Sequence, residues 1–329
     1  MARARFEIVE KERYSEDVYR MKVTAPLVPP GASAGQFIIV RVDDHGERIP
    51  LTLMDFSTEE GTVEMVFQVV GTTTDKLSLL GVGDCLQDVV GPLGMPTEVD
   101  QFGRVACVGG GVGIAALYPI ARAMVGAGND VRVLLGSRDR EHLVLLDRME
   151  ALGAQVEVAT DDGSVGTKGF VTSLVKEAAE KWKPDRVVAV GPVPMMAAVS
   201  SLTRGYGILT VVSLNAIMLD GTGMCGTCRC EVGGETKFSC VDGPEFDGHQ
   251  VDFDLLTARL GVYRDEEEQS RKRFDGMAAE YRHPCGEAPP LEGGGLSGRP
   301  LPPLEGGRRG RPGPERTAPE RRGSIGEDR

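Results

Sequence analysis

The sequence predicts an antiparallel β-barrel, then an α/β domain with a parallel sheet, then a small C-terminal segment built around a cysteine loop. Three observations support this fold class: short alternating runs in the first third, alternating strands and helices in the middle, and a cluster of cysteines towards the end. A chain of 329 residues is long for one core, so several modules are expected. We place the regions at residues 1–99, 100–214, 215–284 and 285–329.

Alternation of apolar and polar residues defines the first region. Pro and Gly turns separate four runs of this kind, which cover residues 6–10, 18–23, 37–42 and 63–70. The motif Arg48-Ile-Pro-Leu-Thr52 lies on a further strand, and Gly71-Thr72-Thr73-Thr74 precedes a short helix. An arginine and the N–H groups of a helix start can together hold a flavin pyrophosphate, although taken alone both motifs are compatible with plain surface features.

The second region alternates strands with helices. The predicted strands cover residues 104–109, 131–135, 156–159 and 187–190, and the predicted helices cover residues 115–125, 143–152, 171–182 and 195–203. This alternation predicts a parallel sheet with helices on both faces.

Glycine turns follow two of these strands. At a turn that opens a helix, a nucleotide pyrophosphate can approach backbone N–H groups. The residues of the two turns are Gly109, Gly110, Gly111 and Gly113 in the first, and Gly191 and Pro192 in the second. Turns of this kind also occur without a ligand, so the pattern alone does not establish nucleotide binding.

Two carboxylates, Asp161 and Asp162, follow the strand predicted at residues 156–159. An acid beside a cofactor ribose accepts hydroxyl hydrogen bonds and repels a 2′-phosphate, which favours NAD(H) over NADP(H). The alternative is that both acids are turn residues that cap the next helix.

The cysteine loop is the most specific motif. Cys225 and Cys228 are separated by two residues and flanked by glycines, and Cys240 follows after a short polar hairpin. Thiolates bind iron, and the plant-type [2Fe–2S] pattern is C-x4-C-x2-C with a distant fourth cysteine. This chain keeps the spacing but has Asp220 at the first position, so we interpret Asp220, Cys225, Cys228 and Cys240 as the ligands.

Two alternatives concern this loop. Cys230 could be the fourth ligand, but it lies two residues after Cys228, where an extended chain would direct it to the opposite face. A structural zinc site also uses Cys-x-x-Cys, but it usually contains two such pairs, whereas here the second half is Cys240 alone. The spacing favours the iron–sulfur cluster.

Composition limits the functional classes. Four of the seven cysteines lie in this loop, which indicates metal binding rather than a disulfide framework, and Cys85 and Cys107 are expected to be small buried side chains. A formal net charge of −12 argues against nucleic acid or anionic membrane as the main partner. No signal-peptide core or apolar run of 18 residues occurs, so we expect a soluble cytoplasmic protein. Residues 285–329 are rich in Gly, Pro, Arg and Glu and are expected to be disordered.

Taken in order along the chain, these motifs resemble the ferredoxin-reductase superfamily, in the branch that contains the electron-transfer subunit of dihydroorotate dehydrogenase. Within that branch the chain is most similar to the small (alpha) subunit of NADH-dependent reduced ferredoxin:NADP oxidoreductase and to the sulfide dehydrogenase beta subunit. The runs that carry the resemblance are residues 48–52, 219–229 and 240–249, and it extends over about residues 3–275.

The resemblance implies that FAD lies in the barrel, NAD(H) on the second domain and a [2Fe–2S] cluster on Asp220 with three cysteines. It places Thr52 near the flavin N5, Leu51 where many relatives have a stacking Tyr, and Arg48, Gly71, Thr72 and Thr73 near the pyrophosphate. It also implies a heterodimer with a large flavin/[4Fe–4S] subunit, similar to the glutamate synthase small chain, and ferredoxin as a substrate of the complex.

The predicted function is hydride exchange between NAD(H) and FAD, with single electrons leaving through the cluster to the partner. One alternative is an electron-transfer subunit of dihydroorotate dehydrogenase, which Asp220 disfavours because that branch usually has four cysteines. A non-catalytic zinc-binding nucleotide sensor is an alternative of another class. The four histidines, at positions 45, 142, 249 and 283, lack metal-ligand spacing.

Overall fold

The computed structural model describes residues 6–44 and 46–275. Its strands are β1 (Phe6–Arg13), β2 (Val18–Thr24), β3 (Phe37–Arg41), β4 (Arg48–Thr52), β5 (Asp55–Ser57), β6 (Thr62–Gln68), β7 (Cys85–Leu86), β8 (Asp88–Leu93), β9 (Arg104–Gly110), β10 (Asp130–Ser137), β11 (Gln155–Thr160), β12 (Thr167–Lys168), β13 (Arg186–Val190), β14 (Leu209–Ser213), β15 (Arg229–Val232), β16 (Glu235–Phe238) and β17 (Glu245–Asp247). The α-helices are α1 (Thr72–Leu79), α2 (Gly113–Gly126), α3 (Leu146–Glu150), α4 (Val171–Glu177), α5 (Val193–Tyr206), α6 (Phe253–Leu260) and α7 (Arg264–Asp275).

Two antiparallel sheets form the N-terminal part. Their strand orders are β5-β6-β2-β1-β7 and β4-β3-β8, and they enclose a core that contains Met21, Met65 and Phe67. Along β3, Ile38 and Val40 point into this core, as the period of two requires. The predicted antiparallel architecture is confirmed.

Strand β3 also contributes to a second core. Phe37 and Ile39, on its opposite face, pack in the cluster of buried residues that contains Cys228 and Cys240. A fully buried side chain of this size contributes about 1.5–3 kcal/mol to stability. The strand therefore joins the barrel to the cysteine segment.

A seven-stranded sheet forms the second part, in the order β12-β11-β10-β9-β13-β14-β17. Its strands pair in parallel except for β17, which pairs antiparallel with β14. One face packs against α2, and the other packs against α4 and α5. The predicted parallel sheet with helices on both faces is therefore confirmed.

Two predicted helices differ from the observed ones. The helix predicted at residues 143–152 is only α3, because Leu145 has a φ of 59°, and a left-handed residue cannot belong to a right-handed helix. The helix predicted at residues 171–182 is α4 followed by a π-helical turn over Ala178–Trp182. Periodicity does not distinguish these forms over so few residues.

The strand order creates a crevice. The chain leaves β9 towards β10 on one side and later crosses to β13 on the other side. At such a switch point the following loops diverge, and ligands of open α/β sheets bind outside the carboxyl ends of the strands there. Here those ends carry the two predicted glycine turns.

The cysteine segment is held against both earlier parts. Strand β17 extends the parallel sheet, the Thr97 hydroxyl donates to Glu245 at 2.6 Å, and the Met95 N–H donates to the Gly243 carbonyl at 2.7 Å. The expectation of disorder for residues 285–329 lies outside the described residues. Among the described residues, no helix has the length and apolar character needed to cross a membrane.

Close packing of α2 on β13 makes Gly113 a testable position. A Cβ at Gly113 would lie 2.7 Å from the Gly191 Cα and 2.7 Å from the Val190 carbonyl oxygen, and these backbone atoms cannot rotate away. We expect Gly113→Ala to lower the free energy of unfolding by about 1–3 kcal/mol. Gly126→Ala, at the other end of the same helix with open space around it, is the matched control. Equal urea midpoints for the two variants would contradict this packing.

Candidate flavin, nucleotide and iron–sulfur sites

A cavity of about 500 Å³ lies at the crevice between the barrel and the parallel sheet. Val18 and Gln68 line it from the barrel, and the carboxyl ends of the parallel strands line it from the other side. Of the residues predicted to bind a nucleotide, four reach this cavity: Gly110, Gly111, Asp161 and Pro192. Acid and glycine turns that are far apart in sequence are therefore brought together.

The predicted glycines have two different roles. Gly111 has a φ of 54°, which favours glycine, and a Cβ there would meet nothing within 4 Å, so its surface faces open space. Gly109, Gly113 and Gly191 do not line the cavity; they allow α2 and α5 to pack closely on the strands. A Cβ on Gly109, for example, would lie 3.0 Å from the Leu117 side chain.

Sequence reasoning missed several residues of this cavity, including Ser137 and His142. Ser137, at the end of β10, is 8% exposed, and its hydroxyl has no hydrogen-bond partner among the described residues. His142 Nδ1 lies 2.7 Å from Asp139, and Nε2 lies 3.4 Å from Asp17 of the barrel. For Ser137 the signal was its position after a predicted strand, whereas the contact between His142 and Asp17 has no sequence signal.

The two motifs predicted to hold a flavin lie side by side. Helix α1 begins after Gly71, where the Thr74 hydroxyl accepts the Gly71 N–H at 3.0 Å. The Thr73 hydroxyl donates to Glu47 at 3.4 Å and so joins the start of α1 to the start of β4. Arg48, the first residue of β4, is exposed, and Gly71 faces open space.

The remaining residues predicted for the flavin site are Thr72, Leu51 and Thr52, and they lie in less open surroundings. The Thr72 hydroxyl already has a neighbour within the protein, because it lies 2.9 Å from the Ser270 hydroxyl of α7. Leu51 and Thr52 are half-buried on β4, where Thr52 pairs with Phe37 of β3. Strand β4 thus lies directly beside the strand that supports the cysteine segment.

The cysteine loop presents its donors as two pairs. The Cys228 and Cys240 sulfur atoms are 3.2 Å apart and buried, while the Asp220 carboxylate accepts the Cys225 N–H at 2.7 Å. In residues 6–44 and 46–275, no three His, Cys, Asp or Glu side chains converge on one metal position. Two pairs suit a centre with two irons, each of which takes two protein ligands.

Hydrogen bonding sets the loop conformation. The Asp220 carboxylate accepts the Thr222 N–H at 2.9 Å and the Cys225 N–H at 2.7 Å, and the Thr222 hydrogen bond is the largest cause of the lowered pKa of Asp220. Burial, together with the Cys228 thiol, raises the pKa of Cys240. A bound metal ion reverses this effect, because it deprotonates a coordinating thiol.

Cys230 makes other contacts. It lies on β15, is buried, and its sulfur is 3.5 Å from the Ser239 hydroxyl and 3.6 Å from the Lys237 carbonyl oxygen. Those partners belong to the hairpin, which favours a packing role for Cys230 over a ligand role.

The loop approaches the barrel at Gly221. This residue has a φ of 72°, and a Cβ there would lie 2.6 Å from the Leu93 Cδ1 of β8 and 3.0 Å from the Ile39 Cγ1 of β3. Because β3 pairs with β4, one strand separates the predicted flavin-binding strand from the predicted cluster loop. The three predicted cofactor sites therefore lie within one compact unit.

The antiparallel barrel, the parallel sheet with a cavity at its switch point and the C-terminal cysteine loop define a ferredoxin-reductase-like oxidoreductase. Two family models match: residues 107–201 match the oxidoreductase NAD-binding domain, and residues 215–252 match the iron–sulfur cluster binding domain of dihydroorotate dehydrogenase B. The predicted NAD(H) and iron–sulfur cofactors are thereby confirmed, and the predicted set of FAD, NAD(H) and a [2Fe–2S] cluster agrees with this class.

Relatives that match over nearly their whole length show which family the chain belongs to. The chain is 48% identical over 274 residues to the "Dihydroorotate dehydrogenase B (NAD(+)), electron transfer subunit homolog" of Thermotoga maritima, covering 83% of this chain and 97% of that protein. It is 30% identical over 257 residues to the "Dihydroorotate dehydrogenase B (NAD(+)), electron transfer subunit" of Fusobacterium nucleatum. That match covers 75% of this chain and 97% of the relative. The chain therefore belongs to the family of dihydroorotate dehydrogenase B electron transfer subunits and their homologues.

A solved structure of NADH-dependent reduced ferredoxin-NADP oxidoreductase, studied for flavin-based electron bifurcation, is also similar. One of its chains is 47% identical, with a TM-score of 0.79, and the match covers 83% of this chain and 99% of that one. The predicted resemblance to this branch is confirmed, and membership among electron transfer subunits implies a large partner subunit.

The contact of Gly221 with the barrel predicts a specific defect. Gly221→Ala would add backbone strain of about 1–2 kcal/mol at a positive φ and a clash with Leu93. We expect fewer iron atoms per chain and a lower melting temperature. Gly234→Ala is the matched control, because Gly234 has a φ of 78° in the same segment but nothing within 4 Å of its Cβ position. Equal iron content in the two variants would show that the contact is unimportant.

Proposed function

We propose that this chain is the small subunit of an oxidoreductase of the NADH-dependent ferredoxin:NADP type, and that it passes electrons between NAD(H) and a large partner subunit. The observation that carries the proposal is the packing of the cluster loop on β3, directly beside β4. That arrangement is suited to electron transfer between a flavin and a cluster. The solved structure studied for electron bifurcation contains a chain that is 47% identical to this one, and it supports the same activity.

In this proposal, each cofactor has its own residues. Arg48, Gly71 and Thr73 hold the FAD pyrophosphate, together with Thr72 at the start of α1, whose hydroxyl contacts Ser270 of α7. Leu51 and Thr52 on β4 lie beside the flavin ring, and Thr52 is the residue nearest the reacting atom. When bound, FAD would exchange a hydride with the nicotinamide, and the cluster would carry one electron at a time.

The nucleotide occupies the cavity at the switch point. Gly110 and Gly111 allow close approach of its pyrophosphate, Pro192 forms the opposite wall, and Asp161 accepts hydrogen bonds from a ribose. Gly109, Gly113 and Gly191 act indirectly, since they hold the helices and turns in place. The barrel residue Gln68 lines the same cavity, which supports a nucleotide position between the barrel and the parallel sheet.

The cluster ligands in this proposal are Asp220 with Cys225, and Cys228 with Cys240. A carboxylate is a harder donor than a thiolate, so this set gives the cluster a different potential from that of four cysteines. The partner is a large flavin/[4Fe–4S] subunit, and the complex of the two uses ferredoxin as a substrate. The complex acts in the cytoplasm. The domain limits are those predicted from sequence, at residues 1–99, 100–214 and 215–284.

A second candidate function is electron transfer to dihydroorotate dehydrogenase, which the names of the Thermotoga and Fusobacterium relatives favour. The two functions differ in the partner. Co-expression with each kind of partner, followed by size-exclusion chromatography, distinguishes them: a stable complex with the flavin/[4Fe–4S] subunit supports the first, and one with the dihydroorotate dehydrogenase catalytic subunit supports the second.

Anaerobic spectroscopy tests the proposed cofactors. We expect the purified chain to show flavin absorption, about two irons per chain and bleaching on addition of NADH. Asp220→Cys should retain iron with a changed spectrum, whereas Asp220→Ala should lose it. A colourless protein that holds zinc and does not respond to NADH would contradict the proposal.

The nucleotide preference depends on Asp161. We expect Asp161→Ser to improve the use of NADPH relative to NADH by about tenfold, because it removes a carboxylate that repels a 2′-phosphate. Steady-state reduction of an artificial acceptor gives kcat/KM for both nucleotides. Asp162→Ser is the control, since Asp162 is exposed and does not line the cavity. An identical preference in both variants would assign Asp161 to turn formation only.

A further inference from the structure

Two arginines bind the backbone of the cluster loop between Cys225 and Cys228. The Arg229 guanidinium donates to the Gly226 carbonyl at 3.2 Å, and the Arg259 guanidinium donates to the Thr227 carbonyl at 3.1 Å. Gly226 and Thr227 are the only two residues between Cys225 and Cys228. Each intervening carbonyl is therefore turned towards a fixed positive charge.

The fold places both arginines by separate routes. Arg229 is the first residue of β15 and follows Cys228 directly. Arg259 lies on α6, which is capped by Asp252 and anchored by Leu256, a side chain that is 1% exposed in the core that also contains Cys228 and Cys240. Positions three apart share a helix face, so burial of Leu256 directs Arg259 to the loop.

One peptide unit connects Arg229 to a proposed ligand. The C=O and N–H groups of a planar trans peptide point in opposite directions. The carbonyl of the peptide between Gly226 and Thr227 accepts from Arg229. Burial acts to raise the pKa of the Cys225 thiol, but the N–H of that peptide and the Thr227 side chain lower it. Hydrogen bonds in a chain polarise one another, so Arg229 strengthens the N–H···S contact.

The positive charges are not neutralised locally. In the described part of the chain, neither guanidinium forms an ion pair with a carboxylate, although the whole protein has a net charge of −12. Both arginines also line a cavity of about 340 Å³, together with Cys225 and Thr227. Their charge therefore acts on the loop, in which Asp220 is the one acidic residue between positions 220 and 230.

We propose that Arg229 and Arg259 are positioning residues that raise the reduction potential of the cluster, because they orient the Cys225–Cys228 backbone and add positive charge beside it. The inference rests on the proposed function, since it requires the cluster. Reduction adds a negative charge to the cluster, and nearby positive charge and hydrogen bonds to the sulfurs stabilise that form.

Redox titration of the holoprotein, monitored by the EPR signal of the reduced cluster, tests this proposal. We expect Arg229→Met and Arg259→Met each to shift the midpoint potential to a more negative value, and the double variant to shift it further. The Lys variants should fall between these and the wild type, because lysine keeps the charge but lacks the planar fork. At equilibrium with a fixed NADH/NAD ratio, a smaller fraction of the cluster should be reduced in the Met variants.

Lys237→Met is the matched control. Lys237 is a partly exposed cation of the same hairpin, and its charge is already paired with Glu235 at 2.7 Å, unlike the charges of the two arginines. A potential unchanged in the double variant, or shifted only as far as in Lys237→Met, would overturn the proposal. Loss of iron in the Met variants at normal secondary structure would also overturn it, since the arginines would then assemble the loop rather than adjust its potential. Absence of an EPR signal in the wild type would instead contradict the proposed function.

Discussion

The shared use of strand β3 is the constraint on which the arrangement of the sites depends. Its odd and even positions belong to different cores: Ile38 and Val40 fill the barrel, whereas Phe37 and Ile39 pack with Cys228 and Cys240. A strand buried on both faces cannot shift by one residue without moving each set into the wrong core. The register of β3 therefore sets its pairing with β4 and β8 and the face that it presents to the cysteine segment.

The barrel adjoins both of the other predicted sites. The barrel carries the predicted flavin residues, and the cavity at the switch point lies between the barrel and the parallel sheet because Val18 and Gln68 line it together with Gly110 and Gly111. The cysteine loop meets the barrel at β8 and β3, through Gly221. In the proposed assignment, the nucleotide site and the cluster site therefore both adjoin the barrel that carries the flavin residues.

The charged groups around the cysteine loop distinguish it from a simple structural metal site. Asp220 brings a carboxylate into the loop and is held by two backbone N–H groups, while Arg229 and Arg259 hold the opposite carbonyls. The loop is therefore polarised along its length, with negative charge at its start and positive charge behind Gly226 and Thr227. This asymmetry gives the protein a way to adjust electron affinity without changing the thiolate ligands.

The sequence alone determined the features that depend on local spacing. The period of two predicted the barrel strands, strand–turn–helix alternation predicted the parallel sheet, and the positions of Asp220, Cys225, Cys228 and Cys240 predicted the cluster loop. Only the tertiary structure decided the features that join distant residues: the pairing of Thr72 with Ser270, the contact of Arg259 with Thr227, the buried hydroxyl of Ser137 and the two faces of β3. Local periodicity reports which face of an element is apolar, but it does not specify which other element covers that face.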